Sequence, residues 1–583
     1  AKVAEVRDES AVGLRADLER CQEALRRGAL EPFPLGSRDF PARFQLPQRL
    51  YGREAAVDAL KESFERVART RRPEWVLVRG YSGIGKSSVV RELHRPVLER
   101  RGFFLGGKFD QFQRDVPYAT LAQAIRGLVQ QLMAGTDEEV AAWRQRLLEA
   151  WEGNGQVLVD VIPRLELIAG TQPAVPEMPP LEAQNRFNRV FQRFLGVFAT
   201  PERPLVLFLD DLQWADFASL ELLRYLATHP DTPPLLLIGA WRDNEVSSSH
   251  PLERALSEAR KAGAQLKDIH LGPLTLEQTR QLVGDALPGA NEELVVPLSS
   301  LVQEKTGGNP FFLLHLLQSL HQDGLVERAT EGGWRWDAQK VRARGYSDNV
   351  IDFMVGLLRQ LPEQAQQLLT LAACAGNTFS LELLALLSHQ EVPQVEHGLE
   401  PALQEALLVR VDAWQYRFLH DRIQQAAHTL IPEQERQAVH LRMGRLLLES
   451  LSREELHERL FDVVGHLNAG VELMEEEAER TRLAHLNAEA GRRAKASNAH
   501  RSAVACFTMA FSLLPGDPWE GEHALVFKLR LDQATSEVMS GNPAEAHRVL
   551  EELLPRARTR AEMADAYHFK SDLFVHAGDA ESA

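Results

Sequence analysis

The chain has 583 residues, of which 44% are hydrophobic and 25% are charged, as in an ordinary globular protein of several domains. Its net charge of −16 argues against a sequence-independent nucleic-acid binder, because phosphate backbones require a basic surface. No stretch approaches the ~20 uninterrupted apolar residues of a membrane-spanning helix, so we expect no membrane segment and a cytoplasmic protein. Three widely spaced cysteines match no metal-ligand spacing and favour a reducing compartment.

Both ends of the sequence have the character of interior segments. The chain begins at Ala1 without an initiator methionine or a signal peptide, and it stops inside a helical pattern. We therefore expect a longer parent chain. Residues 1–30 predict the end of a preceding domain, with one helix at 10–27 that is too short to form a core. Residues 31–47 predict a linker because proline and glycine are frequent there.

A glycine-rich loop follows a strand-like run at residues 75–78 and precedes a helix predicted over 88–100. Residues 80–87, GYSGIGKS, fit the spacing G-x-x-x-x-G-K-[ST]. Backbone N–H groups of such a loop surround phosphate oxygens, the lysine reaches the β- and γ-phosphates, and the serine hydroxyl ligates Mg²⁺. We expect the nucleotide-binding residues of this loop to be Gly80, Ser82, Gly83, Ile84, Gly85, Lys86, Ser87 and Ser88.

Short, fully apolar runs at 103–108, 204–211 and 234–240 alternate with helical segments, which predicts a parallel sheet covered on both faces. Ligands bind such sheets at the carboxyl ends of the strands. The second run ends in two acids. We expect Asp210 to hold the Mg²⁺ with Ser87, and Asp211 to polarise the attacking water. Arg242 follows the third run and is expected to sense the γ-phosphate, with a structural ion pair as the alternative.

The pattern becomes mainly helical after residue 276. The boundaries that follow are an α/β ATPase core at 48–275, a helical lid at 276–346 and a winged helix at 347–430, where helices end in a short hairpin. Residues 431–583 carry helix-breaking turns at intervals of roughly 40 residues, which is typical of paired-helix repeats of the tetratricopeptide (TPR) type. Such repeats expose a protein-binding face. An irregular helical bundle is the alternative for this last segment.

The sequence contains seven distinctive motifs: LYGRE (50–54), GYSGIGKSS (80–88), GGKFDQFQRDVPY (106–118), QNRFNRVFQRF (184–194), LVLFLDDLQWAD (205–216), IGAWRDNEV (238–246) and EKTGGNPFFL (304–313). Together they resemble the signal-transduction ATPases with numerous domains (STAND), AAA-related switches that include the maltose-regulator activators and the apoptosome and plant-immunity ATPases. More specifically, they resemble the ATPase module of large bacterial proteins in which a serine/threonine kinase, this ATPase and a sensor histidine kinase share one chain. The likeness covers about residues 40–430, and residues 10–21 resemble the last helix of a protein-kinase C-lobe.

The resemblance implies further site residues where the motifs match. Gly52 and Arg53 would border the adenine, and Pro273 would pack against the base. His420 would touch the β-phosphate of ADP and hold a closed state. Residues 240–242 read Ala-Trp-Arg instead of the family's commoner Thr-Thr-Arg or Thr-Ser-Arg, so the arginine is present but its contact differs.

The function implied by the resemblance is a slow, ATP-hydrolysing regulatory switch that is closed with ADP and open with ATP. Its cofactors would be ATP or ADP and Mg²⁺. Its partners would be attached kinase or sensor domains, a protein or signal ligand on the repeats, and further copies of itself in a nucleotide-dependent homo-oligomer.

Three alternatives stay open: a piece of a serine/threonine or histidine kinase whose catalytic domains lie elsewhere, a nucleotide-regulated DNA-binding transcriptional regulator, and a scaffold with a degenerate nucleotide site. The chain contains neither the His-Arg-Asp nor the Asp-Phe-Gly motif of protein kinases, so this segment alone should not phosphorylate protein. The intact Lys86, Ser87 and acid pair argue against the degenerate scaffold.

Overall fold

The computed structural model describes residues 44–576, except 45, 48, 112–115, 177, 248, 329–333 and 344–349, together with 18, 21, 22 and 26. Most of the helix expected at 10–27, most of the linker at 31–47 and the last expected repeat turn at 578–581 lie outside these residues. The chain divides into two compact units. The first groups residues 1–59, 80–91 and 270–353, and the second groups residues 60–79, 92–269 and 354–583.

A five-stranded sheet with the order β2-β3-β4-β1-β5 forms the centre of the second unit. The pairs β2-β3, β3-β4 and β1-β4 are parallel. Every residue of β3 and β4 is buried, because layers of side chains cover both faces of the sheet. The strands are β1 (Glu74–Arg79), β2 (Phe103–Lys108), β3 (Leu205–Asp210), β4 (Leu235–Trp241) and β5 (Leu266–His270).

The helices between residues 54 and 261 match the predicted alternation with the strands. The long α8 carries a stripe of phenylalanines that are at most 1% exposed, so this stripe belongs to the core. The helix predicted over 88–100 is wrong as one element, because Pro96 has no N–H to bond the carbonyl of Glu92 and the segment forms two pieces. The helices are α1 (Glu54–Thr70), α2 (Lys86–Arg91), α3 (His94–Glu99), α4 (Ala119–Met133), α5 (Asp137–Trp151), α6 (Gln156–Val159), α7 (Glu166–Ala169), α8 (Pro180–Phe198), α9 (Phe217–Thr228) and α10 (Pro251–Lys261).

The first unit has its own hydrophobic core, which is built mainly from residues 274–341. Thr275 begins its first helix with a capping box, since its hydroxyl accepts the N–H of Gln278 and the Gln278 side chain accepts the N–H of Thr275. The elements are α11 (Leu276–Ala286), α12 (Glu292–Thr306), α13 (Pro310–Gln322), the hairpin β6 (Val326–Arg328) and β7 (Trp334–Trp336), and α14 (Ala338–Ala343).

The winged-helix segment contains the expected hairpin at 408–418 and a third short strand that the sequence did not predict. The strand order is β8-β10-β9, and both pairings are antiparallel. Three residues are too few for a periodic signal, which is why β8 was missed. The elements are α15 (Val350–Gln360), α16 (Glu363–Ala375), β8 (Thr378–Ser380), α17 (Leu381–Ser388), α18 (Val392–Gln404), β9 (Leu408–Arg410), β10 (Gln415–Phe418) and α19 (Asp421–Thr429).

The C-terminal segment is all helical, and consecutive helices pack as pairs joined by the turns at 497–499 and 540–542. The predicted fold class is confirmed: an AAA-like α/β sheet with a phosphate-loop motif, followed by a helical lid, a winged helix and helical repeats. Among the residues described, no helix has the length and apolarity to cross a membrane. The helices are α20 (Glu433–Ser450), α21 (Arg453–Glu458), α22 (Leu460–Ala469), α23 (Glu477–Ala496), α24 (His500–Leu513), α25 (Pro518–Gly521), α26 (His523–Met539), α27 (Pro543–Leu553) and α28 (Arg560–His576).

Candidate functional site

The phosphate loop lies in the first unit, and its glycines adopt conformations that other residues disfavour. Gly83 has a φ of +76°, and a Cβ there would lie 2.9 Å from the side chains of Asn309 and Phe311. Gly85 has a φ of +97°, but a Cβ on it would meet no described atom within 4 Å. One side of the loop is therefore packed against protein, while the side at Gly85 is open for a ligand.

Two residues at the start of α13 hold the packed side of the loop. The Asn309 side chain donates its Nδ2–H to the Ser82 carbonyl (2.7 Å), and the backbone N–H of Phe311 donates to the Gly83 carbonyl (3.3 Å). Asn309 also caps α13, because its Oδ1 accepts that same N–H of Phe311 at 3.1 Å. The motif EKTGGNPFFL contains Asn309, and its Asn-Pro pair before an apolar helix is a capping signal.

Lys86 is the first residue of α2 and folds back over the loop. Its Nζ donates to the carbonyls of Gly80 (2.9 Å) and Tyr81 (3.0 Å), and only 6% of the residue is exposed. The buried ammonium group thus bonds to neutral carbonyl oxygens. These are weaker acceptors than the phosphate oxygens of a bound nucleotide would be. Of the next two predicted residues, Ser87 is half-buried and Ser88 is exposed.

Arg53 connects the loop to the segment that contains the predicted adenine neighbour Pro273. Its Nη2 donates to the carbonyls of Ile84 (3.2 Å) and Gly272 (2.7 Å). Burial of the guanidinium lowers the pKa of Arg53. Gly52 has a φ of +61°, and a Cβ on it would overlap a neighbouring side chain. Pro273 is exposed. The adenine contacts of Gly52, Arg53 and Pro273 stay predictions.

The two acids lie in the second unit, where β3 ends. Asp210 is 7% exposed, and its Oδ1 accepts the N–H of Asp211 at 3.0 Å. Asp211 has a φ of +55°, in the left-handed region that residues other than glycine rarely adopt. Its carboxylate accepts from the Gln213 amide (2.9 Å) and pairs with Lys108 Nζ (3.1 Å) and Arg242 Nε (3.3 Å). The strained turn therefore aims the Asp211 carboxylate at two cations.

Arg242 follows β4 and is 2% exposed. Its guanidinium lies 4.5 Å above the Trp214 ring, and its Nη1 pairs with Glu245 at 2.7 Å. Its Nη2 pairs with the carboxylate of Asp421, so Asp211, Glu245 and Asp421 all hold this one arginine. The ion pair that the sequence analysis kept as an alternative is present, and γ-phosphate sensing by Arg242 stays a prediction.

Asp421 is a residue of this ion-pair cluster that the sequence did not predict. It is the first residue of α19, is 8% exposed, and pairs with Arg242 and, at 3.7 Å, with Lys108. Its neighbour His420 caps α19, since His420 Nδ1 accepts the N–H of Arg422 at 3.1 Å and lies 2.7 Å from Asp421 Oδ1. The winged helix thereby contacts the residues at the strand ends. The predicted contact of His420 with a β-phosphate stays a prediction.

Comparison with known proteins finds a family match for about a third of the chain. Residues 49–238 match the sequence family described as "AAA ATPase domain". The matched residues include the phosphate loop, Asp210 and Asp211, while Arg242 and Asp421 lie beyond them.

The curated relatives that this chain matches are larger proteins. The hybrid signal transduction histidine kinase G of Dictyostelium discoideum is 28% identical over 90% of this chain, and an uncharacterized protein of Rhizobium meliloti is 25% identical over 63%. The chain spans only 19% and 34% of their lengths. A STAND protein of Pyrococcus horikoshii with a tetratricopeptide repeat sensor has 13% identity and a TM-score of 0.43, covering 92% of this chain and 70% of that one.

The family match supports the predicted AAA ATPase domain over residues 49–238.

Proposed function

We propose that this AAA chain is the nucleotide switch of a larger signalling protein, closed with ADP and open with ATP, and that it controls kinase or other output domains of its parent. Slow ATP hydrolysis would return the open state to the closed one. The observation that carries the proposal is the ion-pair cluster of Arg242, Asp211 and Asp421, because it ties the winged helix to two groups that the sequence assigns to hydrolysis.

Nucleotide binding is supported by the chemistry of the loop. The Lys86 ammonium would exchange the carbonyls of Gly80 and Tyr81 for phosphate oxygens, a charge-assisted pairing that is stronger. The open side at Gly85 leaves space for a phosphate to approach the backbone. These residues serve binding, while Gly52, Arg53 and Pro273 would border the base.

A Mg²⁺ ion fits the donors available. The Ser87 hydroxyl and the Asp210 carboxylate are hard oxygen ligands, and Mg²⁺ takes one or two such protein ligands beside phosphate and water oxygens. Asp210 Oδ1 accepts the N–H of Asp211, and its carboxylate supplies oxygen donors of the kind that Mg²⁺ takes. When bound, the ion would supply charge neutralisation of the phosphates.

The ion-pair cluster gives the switch a physical basis. Arg242 is held by three carboxylates, and one of them, Asp421, comes from the winged helix. The γ-phosphate of ATP carries more negative charge than a carboxylate. It would therefore compete with the Asp421 side chain for Arg242. ATP, but not ADP, would then favour the state in which Asp421 is released, and such differential binding is what a ligand needs to shift a two-state equilibrium.

The same cluster would make hydrolysis slow. The Asp211 carboxylate, the proposed water-polarising group, pairs with Lys108 and Arg242. A carboxylate held between two cations is a poor base, because the pairing favours its charged, unprotonated form. Efficient hydrolysis therefore requires that the winged helix and the cations first rearrange.

Calorimetric titration with Mg–ATP and Mg–ADP tests the nucleotide site. Lys86→Ala removes the charged donor and is expected to weaken ATP binding by about 10- to 100-fold, in line with one or two lost charge-assisted hydrogen bonds. Lys61→Ala, a substitution of an exposed lysine on α1, is the matched control and should bind as the wild type does. Unchanged affinity in Lys86→Ala would refute the assignment of the loop.

A further inference from the structure

A cluster of one thiol and three imidazoles lies where the winged helix meets the first repeat helices. Cys374 is the second-last residue of α16, His428 lies near the end of α19, and His440 lies on α20. One ligand atom from each of these three residues lies within 4.8 Å of the others. His466, on α22, adds its Nδ1 at 2.9 Å from the Nδ1 of His440. None of these residues takes part in the proposed nucleotide chemistry.

We propose that Cys374, His428 and His440 form a binding site for a borderline-soft transition-metal ion, with Zn²⁺ as the expected occupant. Thiolate and imidazole are the ligands that Zn²⁺ prefers, whereas Mg²⁺ and Ca²⁺ take oxygen ligands. Tetrahedral zinc holds its ligand atoms about 3.5 Å apart, so the present cluster has to contract by on the order of 1 Å.

His466 completes the arrangement as an orienting partner. Because the Nδ1 of His440 is engaged with His466, its Nε2 is the atom left for the metal. A metal-binding histidine commonly donates its other ring N–H to a nearby acceptor, which fixes the tautomer and the ring direction. The rings of His440 and His466 also stack, with centroids 5.2 Å apart. The fourth position on the metal is left to water.

The cluster is largely buried, and burial shifts the pKa values of its residues. Burial lowers the pKa of His428 to about 4 and of His466 to about 3, and it also lowers the pKa of His440. Burial raises the pKa of the Cys374 thiol to about 12, against a smaller opposing effect of Arg436. A bound Zn²⁺ would replace the thiol proton, which passes to solvent as the Zn–S bond forms, while the rings bind through lone pairs without losing a proton.

The site would join two segments of the second unit. Cys374 and His428 belong to the winged helix, and His440 belongs to the repeats. Zn²⁺ would therefore fix the winged helix to the repeats, and metal occupancy would set how firmly a signal on the repeats is passed to the winged helix.

Cobalt substitution in the full 583-residue chain tests the site. After treatment with a chelator, we expect one Co²⁺ per chain, a thiolate-to-cobalt charge-transfer band, and displacement of Co²⁺ by an equimolar amount of Zn²⁺. Cys374→Ser should abolish the charge-transfer band, while Cys506→Ser, which changes a half-buried cysteine on α24, should keep it. His440→Gln should weaken Zn²⁺ binding by about tenfold or more in competition with a chromophoric chelator.

Circular dichroism of each variant checks that the fold is retained, and His428→Gln replaces Cys374→Ser as the ligand variant should the serine variant not fold. A charge-transfer band that persists in Cys374→Ser, or that disappears in Cys506→Ser, would overturn the site. Absence of the charge-transfer band in the wild type would also overturn the site, because the thiol and the imidazoles would then only pack together.

Discussion

Asp211 lies in a strained turn, where its carboxylate pairs with two cations. These ion pairs determine the expected effect of substituting Asp211. Asp211→Asn removes the charge that polarises water but keeps an acceptor for Gln213. We expect nucleotide binding to persist and steady-state phosphate release to fall by on the order of 100-fold or more, the usual loss for a general base. Phosphate release measured at saturating ATP checks this expectation.

Asp268→Asn provides the control for Asp211→Asn, because it removes a carboxylate from the half-exposed strand β5 and should leave turnover unchanged. A wild-type rate in Asp211→Asn would take Asp211 out of the mechanism, whereas lost binding would instead mean that the ion pairs with Lys108 and Arg242 are needed for the fold.

At the scale of residues, the sequence predicted those groups whose spacing is local. The glycines and Lys86 follow one motif within eight residues, and Asp210 and Asp211 end an apolar run. Asn309 and Asp421 were not predicted because their partners are distant in the chain. Asn309 donates a hydrogen bond to Ser82, 227 positions away, and Asp421 pairs with Arg242. A single sequence carries no signal for such pairings beyond the capping signal of Asn309.

At the scale of elements, α19 presents Asp421 to the cluster, and His420 caps the helix. His420→Ala should therefore act in two ways, by loss of the cap, worth ~1 kcal/mol of stability, and by loss of any contact with ADP. His420→Asn separates these two effects, because asparagine caps a helix as well as any residue and so removes only the contact with ADP. We expect both variants to release a fluorescent ADP analogue faster than the wild type in stopped-flow measurements.

Thermal unfolding of the same two variants measures the loss of the helix cap separately from the loss of any contact with ADP. His420→Ala should lower the Tm, and His420→Asn should stay close to the wild type. Wild-type ADP release in His420→Asn, together with fast release in His420→Ala, would make His420 a helix cap alone.

Elements with strong periodicity were predicted well, and short or polar ones were not. The buried strands β3 and β4 and the phenylalanine-rich α8 follow continuous or helical apolar patterns. The edge strand β5 was missed because Lys267, Asp268 and His270 interrupt its apolar character, and β8 is only three residues long. In both cases pairing with a neighbouring strand, which no local pattern encodes, decides the structure.

At the scale of the whole molecule, the sequence predicted a switch but not the residue that links the winged helix to the hydrolytic acids. Asp421→Asn should weaken that link, because it removes one of the three carboxylates around Arg242 while keeping the size of the side chain. Removing one partner of a buried ion pair destabilises the state that contains the pair by roughly 3–5 kcal/mol. We therefore expect this substitution to shift the equilibrium toward the open state without ATP.

Light scattering and small-angle X-ray scattering measure that shift. The wild type should be compact with ADP and should expand or assemble into a homo-oligomer with Mg²⁺ and a non-hydrolysable ATP analogue, whereas Asp421→Asn should already do so with ADP. Glu396→Gln, which changes an exposed ion pair with Arg410 in the same winged helix, should behave as the wild type does. Identical scattering of Asp421→Asn and the wild type in both nucleotides would show that the pairing of Asp421 with Arg242 does not hold the closed state, and the switch would then need a different contact between its segments.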